Sequence, residues 1–125
     1  MDGRIRATIE LLENNIKRAL LIDKLAHTAR LSSSRLRRVF KNETGLTPAQ
    51  YLKQLRMRKA KEYLETTHLS VKEIRREIGA TDESHFIRDF KRVYGVPPGQ
   101  LRSQVVNTEP SRKRRRASIT KLAGR

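Results

Sequence analysis

The chain has no cysteine and no tryptophan, four prolines, and only three Phe and three Tyr among its 125 residues. Without a thiol, disulfide scaffolds, thiolate metal sites and cysteine nucleophiles are all excluded, and a reducing compartment is the natural expectation. Long hydrophobic runs are missing too. The longest, Ala19-Leu20-Leu21-Ile22, falls far short of the roughly 20 residues that a bilayer span needs, and the N-terminus has no signal-peptide core. A soluble, non-secreted chain is expected. Acidic charge is scarce: 13 Asp and Glu stand against 29 Lys and Arg, a formal net charge of +16. Such an excess on a chain of about one domain's length predicts a polyanionic partner, because neutralising phosphates releases counterions. Nucleic acid and an anionic membrane surface are the two candidates. The 36% hydrophobic content is enough for a small helical fold whose core needs only stripes of Leu, Ile, Val and Phe.

What is present is helical periodicity. Ile5, Ile9, Leu12 and Ile16 recur every three to four residues and predict a first amphipathic helix. Ile22, Leu25, Ala26 and Ala29 predict a short second one. Ser32 is placed to cap a third helix with Leu36, Val39 and Phe40 inward, and Gly45 to close it. Thr47-Pro48 reads as cap and first residue of a long fourth helix to about residue 66, with Tyr51, Leu52, Leu55, Ala60, Tyr63 and Leu64 on one face. Ser70-Val71-Lys72-Glu73 has capping-box form and opens a fifth helix with Val71, Ile74 and Ile78 buried, stopped by Gly79. Asp82 caps a sixth helix carrying Phe86 and Phe90, Gly95 ends it, and Pro97-Pro98 starts a short seventh with Leu101. No segment alternates at period two, so the expected class is all-α, with about seven helices and no strands.

Residues 111–125 hold seven basic residues and no acid, which leaves +9 on residues 1–110. Asn107-Thr108-Glu109-Pro110-Ser111 has turn composition, so a domain over 1–104 and a basic, disordered tail over 105–125 are expected. Arg112–Arg116 could read as a nuclear import signal and Arg115-Arg116-Ala117-Ser118 as a kinase site. Both patterns are low in specificity, and a phosphate-binding tail is preferred.

The sequence is also written twice. At an offset of 50, Ser34 pairs with Ser84, Arg38 with Arg88, Phe40 with Phe90, Lys41 with Lys91, Gly45 with Gly95, Pro48 with Pro98 and Gln50 with Gln100. Ile22 and Leu25 pair with Val71 and Ile74 at an offset of 49. Each copy is a short helix, a tight turn and a longer helix, the helix-turn-helix arrangement, at about 21–45 and 71–95 with a linker helix over about 48–66. Two copies argue for a duplicated binding module and not a solenoid.

Three ordered segments carry a resemblance: residues 36–48 (LRRVFKNETGLTP), 84–98 (SHFIRDFKRVYGVPP) and 55–60 (LRMRKA). Together they resemble the DNA-binding domain of the AraC/XylS family of bacterial transcription regulators, over residues 4–102. The resemblance implies two helix-turn-helix subdomains joined by a rigid helix, which place two recognition helices in successive major-groove segments of one duplex. The linker length agrees: the 19 residues from 48 to 66 make a helix of ~28 Å, and successive major-groove openings lie ~34 Å apart. The chain departs from the family pattern at Leu21, which has no side-chain acceptor where Ser or Thr commonly caps, a cost of ~1 kcal/mol, partly offset by Asp23. Arg30 stands where a turn glycine is common and would be strained if left-handed. Arg75 replaces a usual small Ala, and Ala80 a usual aromatic.

By the same resemblance, Ser34, Arg37 and Arg38 on the third helix and Glu83, Ser84, Ile87 and Arg88 on the sixth occupy base-reading positions. Arg suits guanine O6 and N7, Glu can accept from cytosine N4, and Ile can touch a thymine methyl. The competing readings are that each Arg solvates its helix or grips phosphate, that Glu83 only complements the helix dipole, and that Arg88 forms an internal salt bridge. Ser32, Ser33, Arg35, Lys41 and Lys91 are the expected phosphate contacts. His27, His68 and His85 have no metal-ligand spacing, and no metal or cofactor is expected.

The expected function is therefore a sequence-specific double-stranded DNA-binding transcription regulator, an activator type in a bacterial cytoplasm at the nucleoid, and not an enzyme. Its partners would be duplex DNA and RNA polymerase, with no membrane. An effector or dimerisation domain, which many family members carry, is not among these residues. The alternative is a nonspecific nucleic-acid-binding module relying on basic charge and the tail. RNA readers present aromatic platforms, whereas Phe40, Phe86 and Phe90 are expected to face inward. Membrane binding would need exposed large apolars on a basic helix, and the apolar stripes here are used by the core. The alkylation-repair activity to which this domain is sometimes fused needs a Cys acceptor, and there is none.

Overall fold

In the computed structural model the described residues are 1–18 and 20–108, and they form seven helices and no strand: α1 (Gly3–Asn14), α2 (Ile22–Ala29), α3 (Ser33–Thr44), α4 (Pro48–Thr66), α5 (Val71–Ile78), α6 (Glu83–Tyr94) and α7 (Pro98–Thr108). The helices begin where local chemistry tells them to. Ser32 Oγ accepts from the Arg35 amide at 3.1 Å and Asp82 Oδ1 from the His85 amide at 2.9 Å, each satisfying a donor that the first helical turn leaves unpaired. At α5 the capping box closes in both directions, Ser70 N–H to Glu73 Oε1 at 2.8 Å and Glu73 N–H to Ser70 Oγ at 3.0 Å. Thr47 and Gln50 do the same at α4, at 3.0 and 3.2 Å. Leu21, as expected, provides no side-chain cap for α2.

The fold divides into two compact units, one of Met1–Ala60 with Arg75–Thr81, the other of Lys61–Ile74 with the chain from Asp82. In the first unit Ile5, Leu12, Ala26, Ala29, Leu36, Phe40 and Leu52 form one buried cluster, and Tyr51 meets Phe40 edge-on with ring centroids 5.4 Å apart. Thr8, which no apolar pattern marks, is also buried there; its hydroxyl donates to the Arg4 carbonyl at 2.9 Å and so enters the core without an unmet donor. Ile16, read as part of the first helical stripe, lies beyond the end of α1, and Val39 is only half-buried. In the second unit Leu64, Ile74, Phe86, Phe90 and Leu101 are buried. Phe86, Phe90 and Tyr94 follow one another along α6, with centroids 6.1 and 4.7 Å apart.

Four of the described residues have left-handed backbone, Arg30, Gly45, Gly79 and Gly95, and two of them turn the chain between the helices of a module. Gly79 has φ +83°, and any Cβ there would collide with the Lys17 carbonyl, so glycine is required for both conformation and space. Arg30 ends α2 at φ 60°, ψ 41° and is the one non-glycine residue with positive φ among those described. A side chain in this region costs about 1–2 kcal/mol, and glycine gives part of that back as unfolded-state entropy. Replacing Arg30 by Gly should therefore raise the unfolding free energy by about 1 kcal/mol, seen as a higher urea midpoint with an unchanged slope.

α7 is not short. It runs to Thr108, past the domain boundary expected at 104. The expected tail from residue 109 onward lies outside the described residues.

Candidate nucleic-acid interface

The duplication read from the sequence is a duplication of backbone. Residues 31–50 and 81–100 have the same state at every position, from the turn through α3 or α6 to the start of the next helix. The closing glycines match closely, with φ 83° at Gly45 and 85° at Gly95, each donating its N–H 2.7 Å to the carbonyl of the residue four before it, Lys41 or Lys91. Pro48 and Pro98 are both fully buried at the next helix start. Residues 50 apart therefore occupy the same station on their respective helices.

On α3, Leu36 and Phe40 are buried while Ser34, Arg35, Arg37, Arg38 and Lys41 are exposed. This follows from helical geometry, since positions 36 and 40 share one face and 34, 37, 38 and 41 fall on the other. On α6, Phe86 and Phe90 are buried, and Glu83, Ser84, Arg88 and Lys91 are exposed, with Ile87 half-buried between the faces. Every residue expected at a base-reading position thus lies on α3 or α6 and outside the fully buried set. α3 carries no acidic residue in its first turn, whereas α6 begins with Glu83.

The expected phosphate contacts divide by what their hydroxyls already do. Ser32 uses its side chain as the α3 cap. The Ser33 hydroxyl donates to Asp23 Oδ1 on α2, which ties the two helices of the first module together and leaves that proton unavailable to a phosphate. Arg35, Lys41 and Lys91 are exposed cations. Asp82 lies 3.6 Å from His85 Nδ1, and its carboxyl is held below the usual carboxylate range chiefly by the His85 backbone hydrogen bond, with Arg88's charge a smaller contribution. Arg88 remains exposed, on the face away from Phe86 and Phe90.

Three arginines to which the sequence assigned no role hold the modules in shape. Arg56 on α4 reaches the chain leaving α1, its Nε and Nη2 donating to the carbonyls of Ile16 and Arg18, both at 2.7 Å. Burial lowers its guanidinium pKa. Arg102 on α7 does the same for the chain leaving α4, donating to the carbonyls of Thr67 at 3.1 Å and Leu69, with longer approaches to Tyr63 and Leu64. Arg75, where a small residue is usual in the pattern, donates to the Ala80 carbonyl at 2.6 Å and closes its own turn. Arg56 and Arg102 perform equivalent tasks but stand one helical turn out of register, eight residues after Pro48 and four after Pro98. An offset of 50 consequently never pairs them.

Among the described residues no cluster of His, Asp and Glu could hold a metal ion, and no helix is long and apolar enough to cross a membrane.

Comparison with known proteins follows the same outline. A family profile described as a helix-turn-helix domain matches residues 25–104. The HTH-type transcriptional activator RhaS of Yersinia pestis (strain Pestoides F) is 36% identical over 104 residues, 83% of this chain and 38% of RhaS. The chain thus spans about two fifths of the length of such curated relatives. The C-terminal domain of the two-component response regulator yesN from Fusobacterium nucleatum superposes with a TM-score of 0.74 at 32% identity, covering 81% of this chain and 99% of that one. The DNA-binding domain of AdpA, solved in complex with a target DNA, superposes with a TM-score of 0.81 over 87% of this chain and 98% of its own; at 24% identity it shares the fold.

Proposed function

Because this chain belongs to the AraC/XylS-type helix-turn-helix family, we propose that it binds double-stranded DNA sequence-specifically and regulates transcription, by setting α3 and α6 into successive major-groove segments of one duplex. The observation that carries this reading is the repeat of the backbone of 31–50 in 81–100, with cations on the outer face of both helices, Arg35, Arg37, Arg38 and Lys41 on α3 and Arg88 and Lys91 on α6. Arg37, Arg38 and Arg88 would read guanine edges, Ser34 and Ser84 would support them, and Glu83 and Ile87 would address cytosine and thymine. Arg35, Lys41 and Lys91, with the amides beside Ser32 and Ser33, would grip phosphates and set the register. The protein acts by binding and performs no chemistry. RhaS is an activator by name, and activation by this chain would require that a face left free on DNA engage RNA polymerase. A bacterial cytoplasm, at the nucleoid, is the setting this role needs.

Arg38→Ala tests the reading. It should cost about 1–3 kcal/mol on the preferred duplex and relax selectivity at one base pair, as a lost bidentate contact does. Guanine methylation interference on the wild-type complex should map to two groove segments about one helical turn apart. Uniform weakening of Arg38→Ala on all duplexes, together with interference in a single segment, would replace two-helix reading by nonspecific attachment through charge.

A further inference from the structure

The two modules also differ at a place that α3 and α6 do not supply. Leu52 lies four residues after Pro48 and Arg102 four after Pro98, so the two hold the same station on the helix that follows each helix-turn-helix. At the 49-residue offset Leu20, Leu21 and Lys24 correspond to Leu69, Ser70 and Glu73. In the second module these stations are joined by polar bonds. Arg102 donates to the Leu69 carbonyl, and Ser70 and Glu73 close the capping box of α5. In the first module the carbonyls are held instead by Arg56, one turn further along α4 than Leu52, and the counterparts are free of that role. Leu52 is buried, Leu21 leaves α2 without a side-chain cap, and Lys24 carries the charge opposite to that of Glu73.

What results is a cavity of about 210 Å³, with six leucines from α1, α2, α4 and the segment before α2 in its lining. A leucine-rich cavity of about 150 Å³ takes up benzene, so this one has room for an apolar body of about eight carbons. Its rim is apolar as well. Leu11 and Leu21 are 38% and 53% exposed, two of the four large apolar side chains that the described residues leave to solvent. A ligand that covered them would remove that surface from water. The polar part of the lining is cationic: Arg18 and Lys24 are exposed there, and none of the described residues that line the cavity is Asp or Glu. Asp23, the neighbour of Lys24, is bonded to the Ser33 hydroxyl on α3.

We infer that this cavity binds a small amphiphilic carboxylate, its hydrocarbon body among the leucines and its head at Arg18 and Lys24. Two cations and the uncapped, positive end of α2 select an anion over a neutral or cationic molecule with the same body. The bound head group supplies at the start of α2 the negative charge that Glu73 supplies at the start of α5. The second module is complete in itself, and the first is completed by a ligand.

The experiment is titration of the full chain with sodium octanoate, followed by leucine-methyl NMR, with 1-octanol and octylammonium as the neutral and cationic counterparts. Octanoate should shift the methyls of Leu11, Leu21, Leu25 and Leu52 saturably. It should bind about three- to tenfold more tightly than octanol at low salt, lose that advantage at high salt, and leave octylammonium the weakest of the three. The variant L21S/K24E writes the capping box of α5 into α2. Both positions are exposed, so its melting temperature should be no lower than that of wild type, while its affinity for octanoate should fall by about tenfold. Absence of saturable shifts at these leucines, or octanoate binding unchanged in L21S/K24E, overturns the site and leaves only an adventitious attraction of an anion to a basic chain. Octanol bound as tightly as octanoate overturns the carboxylate assignment. None of these outcomes depends on DNA binding.

Discussion

Removal of residues 111–125 is expected to weaken binding to a preferred and an unrelated duplex by similar factors, about a hundredfold to a thousandfold near 0.1 M salt. Those residues carry seven positive charges and no negative one, and their loss lowers the net charge from +16 to +9. Each Lys or Arg that neutralises a phosphate contributes ~0.9 to the slope of log affinity against log salt, so engagement of about four of the seven would make that slope shallower by roughly 3 to 4. No base selectivity should be lost, because an attraction to phosphate is the same along any duplex. The measurement is a salt titration of full-length and truncated chains on both duplexes, with a melting curve for each. A loss confined to the preferred duplex would make the tail a reader of the minor groove. A melting temperature lowered by several degrees would mean that Ile119 and Leu122 pack on the domain, and residues 111–125 would be part of the fold.

The second large effect concerns Arg102. Its guanidinium holds the carbonyls of Thr67 and Leu69 in the segment between α4 and α5. Past the end of a helix the carbonyls have no intrahelical donors, and here a side chain from α7 supplies them. Arg102→Met keeps most of the aliphatic stem and deletes every donor. Two charge-assisted bonds at a partly exposed site make the expected loss about 2–4 kcal/mol. For a domain of this size that is a fall in melting temperature on the order of 10 °C or more. Arg102→Lys should recover only part of it, since an ammonium cannot present a planar fork to separated carbonyls. A Met variant as stable as wild type would show that water satisfies those carbonyls equally well.

These expectations draw on two kinds of information that were not equally legible. The caps at Ser32, Ser70 and Asp82, the closing glycines 45 and 95, and the long helix from Pro48 to Thr66 all follow from short-range chemistry: a side-chain acceptor two or three residues from a free amide, a residue without Cβ, a proline at a first turn. Such signals act within one or two helical turns and can be read along the chain. Phe40, Phe86 and Phe90 were legible as core for a similar reason, since a period of 3.6 puts them on one face whatever they pack against. Thr8 and Met57 were not, although both are buried. A threonine can bond back to its own helix and a methionine can fill an irregular gap, so neither announces its environment.

The outward faces were equally open to reading, because a face opposite a buried one must be exposed, and the duplication then placed Arg38 and Arg88 at matching stations. What sequence by itself determined is therefore the all-α class, the starts of α3 to α7 and the two polar faces, each set by interactions between near neighbours. Only the tertiary structure decided which partners distant groups would choose: Asp23 taking the Ser33 proton, Arg56 and Arg102 holding the chain just past helices that end about 40 residues before them, Arg75 securing the turn at Ala80, and Lys17 approaching the backbone of Gly79. Long arginine side chains reach over several ångströms, and which carbonyl they meet depends on how helices cross, a quantity that no local pattern encodes.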